Sequence, residues 1–167
     1  NRPVVTIVDT SAADSSVAAE ERGISAAIAW AMEEMALLRV PVIVVVVGEG
    51  GSGGAIGLGV GNRVLMMEHA VYSVIPPEGC ANIIWRDAAK ADKAAEALRL
   101  TAADALRLGV IDAILPEPLG GAHRDPARAA ATIRTAVLEA LADFDDMDRD
   151  AILQDRYDKF RRMGHWS

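Results

Sequence analysis

A glycine-rich segment, residues 48–54, is the part of the sequence best suited to chemistry. It holds five glycines in seven residues, between the apolar run Val42–Val47 and a predicted helix. A tight turn alone would explain one or two glycines, but not five. Glycines at the start of a helix leave backbone N–H groups unobstructed, and such groups stabilise negative charge that develops on a carbonyl oxygen. The segment therefore predicts an oxyanion-binding turn.

The same residues also fit a dinucleotide-binding motif. Gly48, Gly50 and Gly53 have the G-x-G-x-x-G spacing, and the acidic Glu68 stands 20 residues after the first of them. In such a motif the glycines let a pyrophosphate approach the start of a helix. Against this interpretation, a whole strand–helix unit precedes the motif, and residues 60–62 interrupt the helix that should follow it.

A third motif at this place would make a serine the nucleophile of a hydrolase. Gly50, Ser52 and Gly54 have the G-x-S-x-G spacing of a nucleophile elbow on a strand-to-helix turn. Asp112 and His123 follow in the chain order of such a triad, but they stand only eleven residues apart around a proline-rich loop. Small residues beside a serine are also expected wherever backbones approach closely, so this alternative stays open.

Two further groups of side chains could contact a substrate. Glu78 and Cys80 stand at a predicted helix start, where the cysteine suits a small buried position. Arg86, Lys90 and Lys93 have the i, i+4, i+7 spacing of one helix face. That face could bind phosphates or an acidic carrier protein, or it could simply be solvated.

The elements that must position these residues alternate between strands and helices. Runs of β-branched residues indicate strands at Val4–Val8, Val42–Val47, Arg63–Met67, Val71–Ile75 and Val110–Leu115. Helical spacing of apolar residues, caps and prolines indicate helices at Ala18–Arg39, Pro77–Trp85, Ala88–Leu100, Thr101–Leu108, Pro126–Asp143 and Arg149–Met163. This alternation predicts an α/β fold with a largely parallel sheet.

Composition narrows the functional class. The 167 residues are 51% hydrophobic and only 4% aromatic, which is enough apolar content for one folded domain. The net charge of −7 argues against a nucleic-acid partner. The longest apolar run, Val40–Val47, is far shorter than the ~20 residues of a membrane span. The single Cys80 excludes an internal disulfide and a multi-cysteine zinc site built by this chain alone.

Several stretches match one family in order and at its spacing. They are residues 19–23, 48–55, 59–66, 72–75, 77–81, 116–124 and 156–160. The chain resembles the α subunit of bacterial and plastid acetyl-CoA carboxylase carboxyltransferase over nearly its whole length. Because the sequence opens with Asn1-Arg2-Pro3 directly before a predicted strand, we expect one domain over residues 1–167 that forms the C-terminal half of a longer α subunit.

The resemblance implies a crotonase-type (ClpP-like) spiral of ββα units with C-terminal helices. It also implies transfer of a carboxyl group from biotin on a separate carrier protein to acetyl-CoA, which gives malonyl-CoA for fatty-acid synthesis. The implied partners are that carrier protein and a β subunit with a zinc ribbon, in an α2β2 assembly in the bacterial cytoplasm or the plastid stroma. No metal, membrane or nucleic acid is implied for this chain.

The resemblance assigns site residues by position. It places the oxyanion-binding role on four glycines, namely Gly50, Gly51, Gly53 and Gly54. We expect substrate contacts from the residues around them and from the next helix, namely Glu49, Ser52, Glu78, Gly79, Arg86 and Lys90. Backbone donors of this kind need no side-chain triad.

One loop departs from the family. Where the family has DTPGAYPG after its first strand, this chain has Asp9-Thr10-Ser11-Ala12-Ala13-Asp14-Ser15-Ser16. Serine and alanine resist the tight turns that glycine and proline favour, so the loop geometry should differ. Together with the expected missing half, this departure keeps open the alternative of a non-catalytic assembly subunit of crotonase fold. A crotonase-type acyl-CoA hydratase is a further alternative, although the sequence shows no well-placed pair of acidic catalysts for it.

Overall fold

The computed structural model describes residues 2–164, and a parallel β-sheet forms its centre. The strands in this part of the chain are β1 (Val4–Thr10), β2 (Val42–Gly51), β3 (Arg63–Met67), β4 (Val71–Ser73) and β5 (Ala113–Leu115). Strands β1, β2, β3 and β5 lie side by side in that order, and β4 pairs with the far end of β2. Every pair is parallel, so the carboxyl ends of the strands meet at one edge of the sheet.

Helices follow or separate the strands. They are α1 (Val17–Glu21), α2 (Ile24–Leu37), α3 (Ser52–Ile56), α4 (Pro77–Trp85), α5 (Ala91–Leu98), α6 (Ala102–Arg107), α7 (Pro126–Ala142) and α8 (Arg149–Arg161). Two 3₁₀ turns cover Ala88–Lys90 and Ala122–Arg124. Among the described residues, no helix combines the length and apolarity that crossing a membrane requires. The predicted α/β class with a parallel sheet is confirmed.

The centre of β2 forms the core. Residues Val42–Val46 are all 0% exposed, so side chains on both faces of the strand are covered. Helix α7 packs on β2 and β5, whereas α3 packs on β1 and β2. A strand buried on both faces favours the continuous aliphatic run that the sequence has here.

Several predicted boundaries differ from the structure, and two of the differences have a clear cause. The helix predicted over Ala18–Arg39 is two helices, because Gly23 adopts a left-handed conformation (φ +81°) that interrupts the helix between α1 and α2. The strand predicted to end at Val47 continues to Gly51, because β4 supplies hydrogen-bonding partners along its extension. Most of the expected glycine turn is therefore the end of a strand.

Charged and polar residues close the opposite, amino-terminal edge of the sheet. Asn62 is 0% exposed and accepts the N–H of Val42 at 3.1 Å while it donates to the carbonyl of Ile152 at 2.9 Å. Arg156 on α8 is 1% exposed and donates to the Asn62 side chain at 2.7 Å. These contacts fix α8 against the strand starts.

An ion pair completes this edge. Lys159, three residues after Arg156, pairs with Asp112, whose carboxylate also accepts the N–H of Val64 at 2.6 Å. Burial lowers the pKa of the Lys159 ammonium, although the neighbouring Asp112 carboxylate opposes that shift. The buried face of helix α8 therefore carries two charged side chains, Arg156 and Lys159, that bind polar groups at this edge, although Arg156 Nε is left without a partner among residues 2–164.

Candidate active site

The carboxyl edge of the sheet holds a small cavity at the glycine-rich end of β2. Its volume is about 230 Å³, and Glu49, Gly50 and Gly51 line one wall. Ser11, from the loop after β1, and Glu78, from the first turn of α4, line others. We call it the site cavity. Four of the predicted site residues, Glu49, Gly50, Gly51 and Glu78, are thus brought together.

Only glycine fits at two positions of this wall. A Cβ at Gly51 would lie 1.7 Å from the carbonyl oxygen of Ser11, which is a backbone atom that cannot rotate away. A Cβ at Gly50 would lie 2.7 Å from the ring of Tyr72 on β4. The glycines allow the β1 loop and β4 to close on the end of β2, and the backbone itself forms the cavity wall.

Asp9 replaces a backbone partner where the pairing of β1 and β2 is interrupted. The register shifts between Val8 and Thr10, and the Asp9 carboxylate accepts the N–H of Glu49 at 2.9 Å. This contact fixes the backbone of β2 just before its two glycines. Asp9 corresponds to the first residue of the family's DTPGAYPG motif, but that correspondence did not indicate its contact with Glu49.

Tyr72 was also missed as a site-supporting residue. Its ring packs on Gly50, and burial raises the pKa of its hydroxyl, so the phenol stays protonated at neutral pH. The available signal was its position in a predicted strand that follows the glycine segment by some twenty residues. Its contact with Gly50 depends on the pairing of β2 with β4, which is not local in sequence.

Gly53 and Gly54 line a different cavity. They lie in the first turn of α3 and face α2, where the cavity has a volume of about 330 Å³. A Cβ at Gly54 would lie 3.1 Å from the backbone nitrogen of Ala13, so the loop after β1 separates this cavity from the site cavity. The four glycines that were predicted as one oxyanion-binding group thus divide into two pairs.

Neither alternative motif forms its expected geometry. Gly48 and Gly50 lie within β2 rather than in a turn, which removes the basis of the dinucleotide-binding motif. Ser52 follows β2 at the carboxyl edge and has φ +55°, but Asp112 precedes β5 at the amino edge and pairs with Lys159. Because the strands are parallel, these two edges are opposite, and the proposed triad does not assemble.

The remaining predicted contacts do not line the site cavity. Arg86, Lys90 and Lys93 do not share a helix face, because Arg86 ends α4 with φ +53°, Lys90 lies in a 3₁₀ turn and Lys93 lies in α5. At 1.5 Å per residue, Arg86 stands about 12 Å along α4 from Glu78. Gly79 packs against Ile75, to which a Cβ would come within 3.1 Å.

Comparison with known proteins gives the family. The family model described as acetyl co-enzyme A carboxylase carboxyltransferase-like matches residues 1–164. The chain belongs to this family. It is 55% identical over 162 residues to the acetyl-coenzyme A carboxylase carboxyl transferase subunit alpha of Cyanothece sp., covering 97% of this chain and 50% of the relative. The chain therefore spans about half the length of the curated relatives it matches.

Solved structures agree with this carboxyltransferase family in fold. A Pseudomonas malonate decarboxylase hetero-tetramer in complex with coenzyme A superposes with a TM-score of 0.74 at 25% identity, covering 93% of this chain and 61% of that one. Transcarboxylase 12S, with hydrolysed methylmalonyl-coenzyme A bound, has a TM-score of 0.66 at 26% identity, covering 84% and 25%. The predicted crotonase-type fold is confirmed.

Within residues 2–164, no group of three or more His, Cys, Asp or Glu could hold a metal ion.

Proposed function

We propose that this chain provides one side of a carboxyltransferase active site that moves a carboxyl group between biotin and acetyl-CoA. The observation that carries the proposal is the Gly50–Gly51 wall of the site cavity, at the carboxyl end of the central strand, in a chain of the carboxyltransferase-like family. Gly50 and Gly51 contribute only backbone to this wall, because a side chain at either position would collide with Tyr72 or Ser11.

The chemistry suits a backbone site. Release of the carboxyl group from biotin, and loss of a methyl proton from acetyl-CoA, each place negative charge on a carbonyl oxygen. Fixed N–H donors lower the energy of such charge without a nucleophile, and donors already held in place need no reorganisation during the reaction. Asp9 at Glu49, Ser11 at Gly51 and Tyr72 at Gly50 supply that rigidity here.

The proposal includes partners. A zinc-ribbon β subunit would provide the opposite wall and most contacts to coenzyme A, in an α2β2 assembly, and a separate carrier protein would deliver biotin. Glu78 faces the cavity and is placed to contact substrate, whereas Ser52, Gly79, Arg86 and Lys90 lie outside its lining. Such an assembly would work in the bacterial cytoplasm or the plastid stroma.

The test is carboxyl transfer from malonyl-CoA to a soluble biotin analogue, with this chain alone and with a zinc-ribbon β subunit. We expect turnover only in the mixture, and a loss of about 10²-fold or more in Gly51→Ala. Gly109→Ala is the matched control, because it forces a side chain into φ +72° at a place where no atom lies within 4 Å. Equal losses in both variants would contradict a role of the Gly51 backbone.

A second variant addresses the unusual loop after β1. Ser11 packs its carbonyl on Gly51, so the loop determines the shape of the site cavity. Replacing residues 11–16 by Pro-Gly-Ala-Tyr-Pro-Gly should raise turnover in the mixture with the β subunit. If neither the original chain nor the loop variant gives turnover, although each still co-elutes with the β subunit, the proposed catalytic role is wrong.

A further inference from the structure

A second cavity lies behind β4, and the proposed function does not use it. Side chains alternate along a strand, so Val71 lines the site cavity whereas Tyr72 lines this other one. We call it the back cavity. Its volume is about 310 Å³, at the lower end of the range for small-molecule sites. Its walls are mainly apolar and include Ile56, Val64, Leu108, Val110, Phe160 and Met163.

A tyrosine hydroxyl lies at the back cavity. None of the hydrogen bonds formed within residues 2–164 includes Tyr72 Oη, and this oxygen is accessible rather than fully buried. It lies beside Gly59, another lining residue, because a Cβ there would come within 2.6 Å of Tyr72 Oη. The cavity thus offers one hydrogen-bond donor within apolar walls.

An arginine also lines the back cavity. Arg99 ends α5 with φ +53°, and none of the ion pairs formed within residues 2–164 includes it. The nearby Asp104 carboxylate is bound by Arg107 at 2.8 Å and by the Thr101 hydroxyl at 2.9 Å. The guanidinium of Arg99 therefore remains available to an anion.

We propose that the back cavity binds a small apolar monocarboxylate. Its hydrocarbon part would lie against the aliphatic and aromatic walls, and its carboxylate would accept a hydrogen bond from the Tyr72 hydroxyl and face the Arg99 guanidinium. This site goes beyond the proposed function, because β4 separates it from the site cavity. The two are nonetheless linked, since the ring of Tyr72 also packs on Gly50.

Octanoate is the probe, and calorimetry on the full chain is the measurement. We expect saturable 1:1 binding that Tyr72→Phe weakens about three- to tenfold, which corresponds to one hydrogen bond, while the ring stays on Gly50. Arg99→Gln should weaken it about two- to fivefold, because the ion pair is partly solvated. Leu108→Trp should abolish it, since Leu108 is 52% exposed and a larger side chain there fills the cavity without entering the core.

Matched controls distinguish binding in the back cavity from binding elsewhere on the chain. Leu138→Trp alters a leucine of similar exposure, 50%, on α7 outside the cavity, and should leave binding unchanged. Glu78→Gln alters the site cavity and should also leave binding unchanged. On the unmutated chain, NMR should give intermolecular contacts between octanoate and the Tyr72 ring.

Three results would overturn the proposal. They are a lack of saturable binding, binding that survives Leu108→Trp, and binding that Glu78→Gln removes, since the last would place octanoate in the site cavity. Because the readout is binding, it is independent of whether the chain transfers carboxyl groups.

Discussion

At Gly51 the backbone of β2 touches the backbone of the loop after β1, and this contact leaves no room for a side chain. We expect Gly51→Ala to lower the free energy of unfolding by about 1–3 kcal/mol, because Ser11 must move to accommodate the methyl group. Urea unfolding measures this. Gly53→Ala is the control, since the nearest atom there is the end of the flexible Ile28 side chain, at 3.0 Å. An equal loss in both would show that the Ser11 contact is not the cause.

Glu117 shows how a single carboxylate orders a loop. It accepts the N–H groups of His69 and Ala122, each at 2.9 Å. Burial alone would raise the pKa of Glu117, but these donors and the nearby His69 ring together hold it below its ordinary value. The folded state therefore binds this proton less readily than the unfolded chain does.

The sign of the pH dependence follows from that lowered pKa. The stabilisation is present above the unfolded-state pKa of about 4.5 and is lost as pH falls through the lower folded-state value. We expect Glu117→Gln to lose about 1–3 kcal/mol of stability at pH 7 and to depend less on pH below 4.5 than the unmutated chain does. Urea unfolding at several pH values between 3 and 7 measures it. If the free energy of unfolding falls equally with pH in both proteins, the stabilising role of the Glu117 carboxylate is wrong.

Residue types in the site could be predicted from sequence, but their partners could not. The glycines of β2 and the glutamates Glu49 and Glu78 were identified from composition and family resemblance. Asp9 and Tyr72 were not, because their roles depend on strand pairing between residues some twenty to forty positions apart. Local patterns carry no information about such pairs.

Among the helices, α8 has a buried face that a search for apolar spacing does not find. Ile152, Arg156 and Lys159 stand at i, i+4 and i+7 and are the buried residues of this helix. Two of the three are charged, so hydrophobic periodicity predicts the helix but not which side faces the sheet. The buried face is recognisable only from its partners at the amino edge.

Arg156 is the residue that attaches α8 to the rest of the fold. Its guanidinium donates to the carbonyls of Leu38 at 2.6 Å and Val40 at 2.8 Å, beyond the end of α2. Arg156→Met should cost about 1–3 kcal/mol or more, because the buried acceptors lose their donor. The control is Arg161→Met at the exposed end of α8, which should change stability by less than about 0.5 kcal/mol. Similar melting temperatures for the two variants would contradict this role.

The strand β2 illustrates what determines element length. Its aliphatic core was predicted from the sequence, but its last four residues include three glycines, which are usually depleted in strands. They are extended because β4 pairs with Glu49, Gly50 and Gly51. Tertiary pairing here overrides local propensity, and it moves the expected turn to the start of α3.

Over the whole molecule, the outer edge of the sheet is its most exposed β-structure. Within residues 2–164, β1 pairs only with β2, and its Val5 and Ile7 are 42% and 54% exposed. An open apolar edge favours pairing with another chain. We expect Ile7→Lys to reduce self-association at high concentration, as measured by sedimentation velocity. Val17→Lys, at a 76% exposed position on α1, is the control. If both variants reduce self-association equally, the β1 edge is not the associating surface.

The Arg156 contacts also have a consequence for protein synthesis. They join α8 to carbonyls of residues 36–40, which are made 116 to 120 residues earlier. At a translation rate of about 5–20 residues per second, Arg156 is synthesised roughly 6–24 s after the residues whose carbonyls it binds. During that interval the strands can already be present while the amino edge is still open to water and to other nascent chains. Helix α8 is therefore made after the strands whose amino edge it protects.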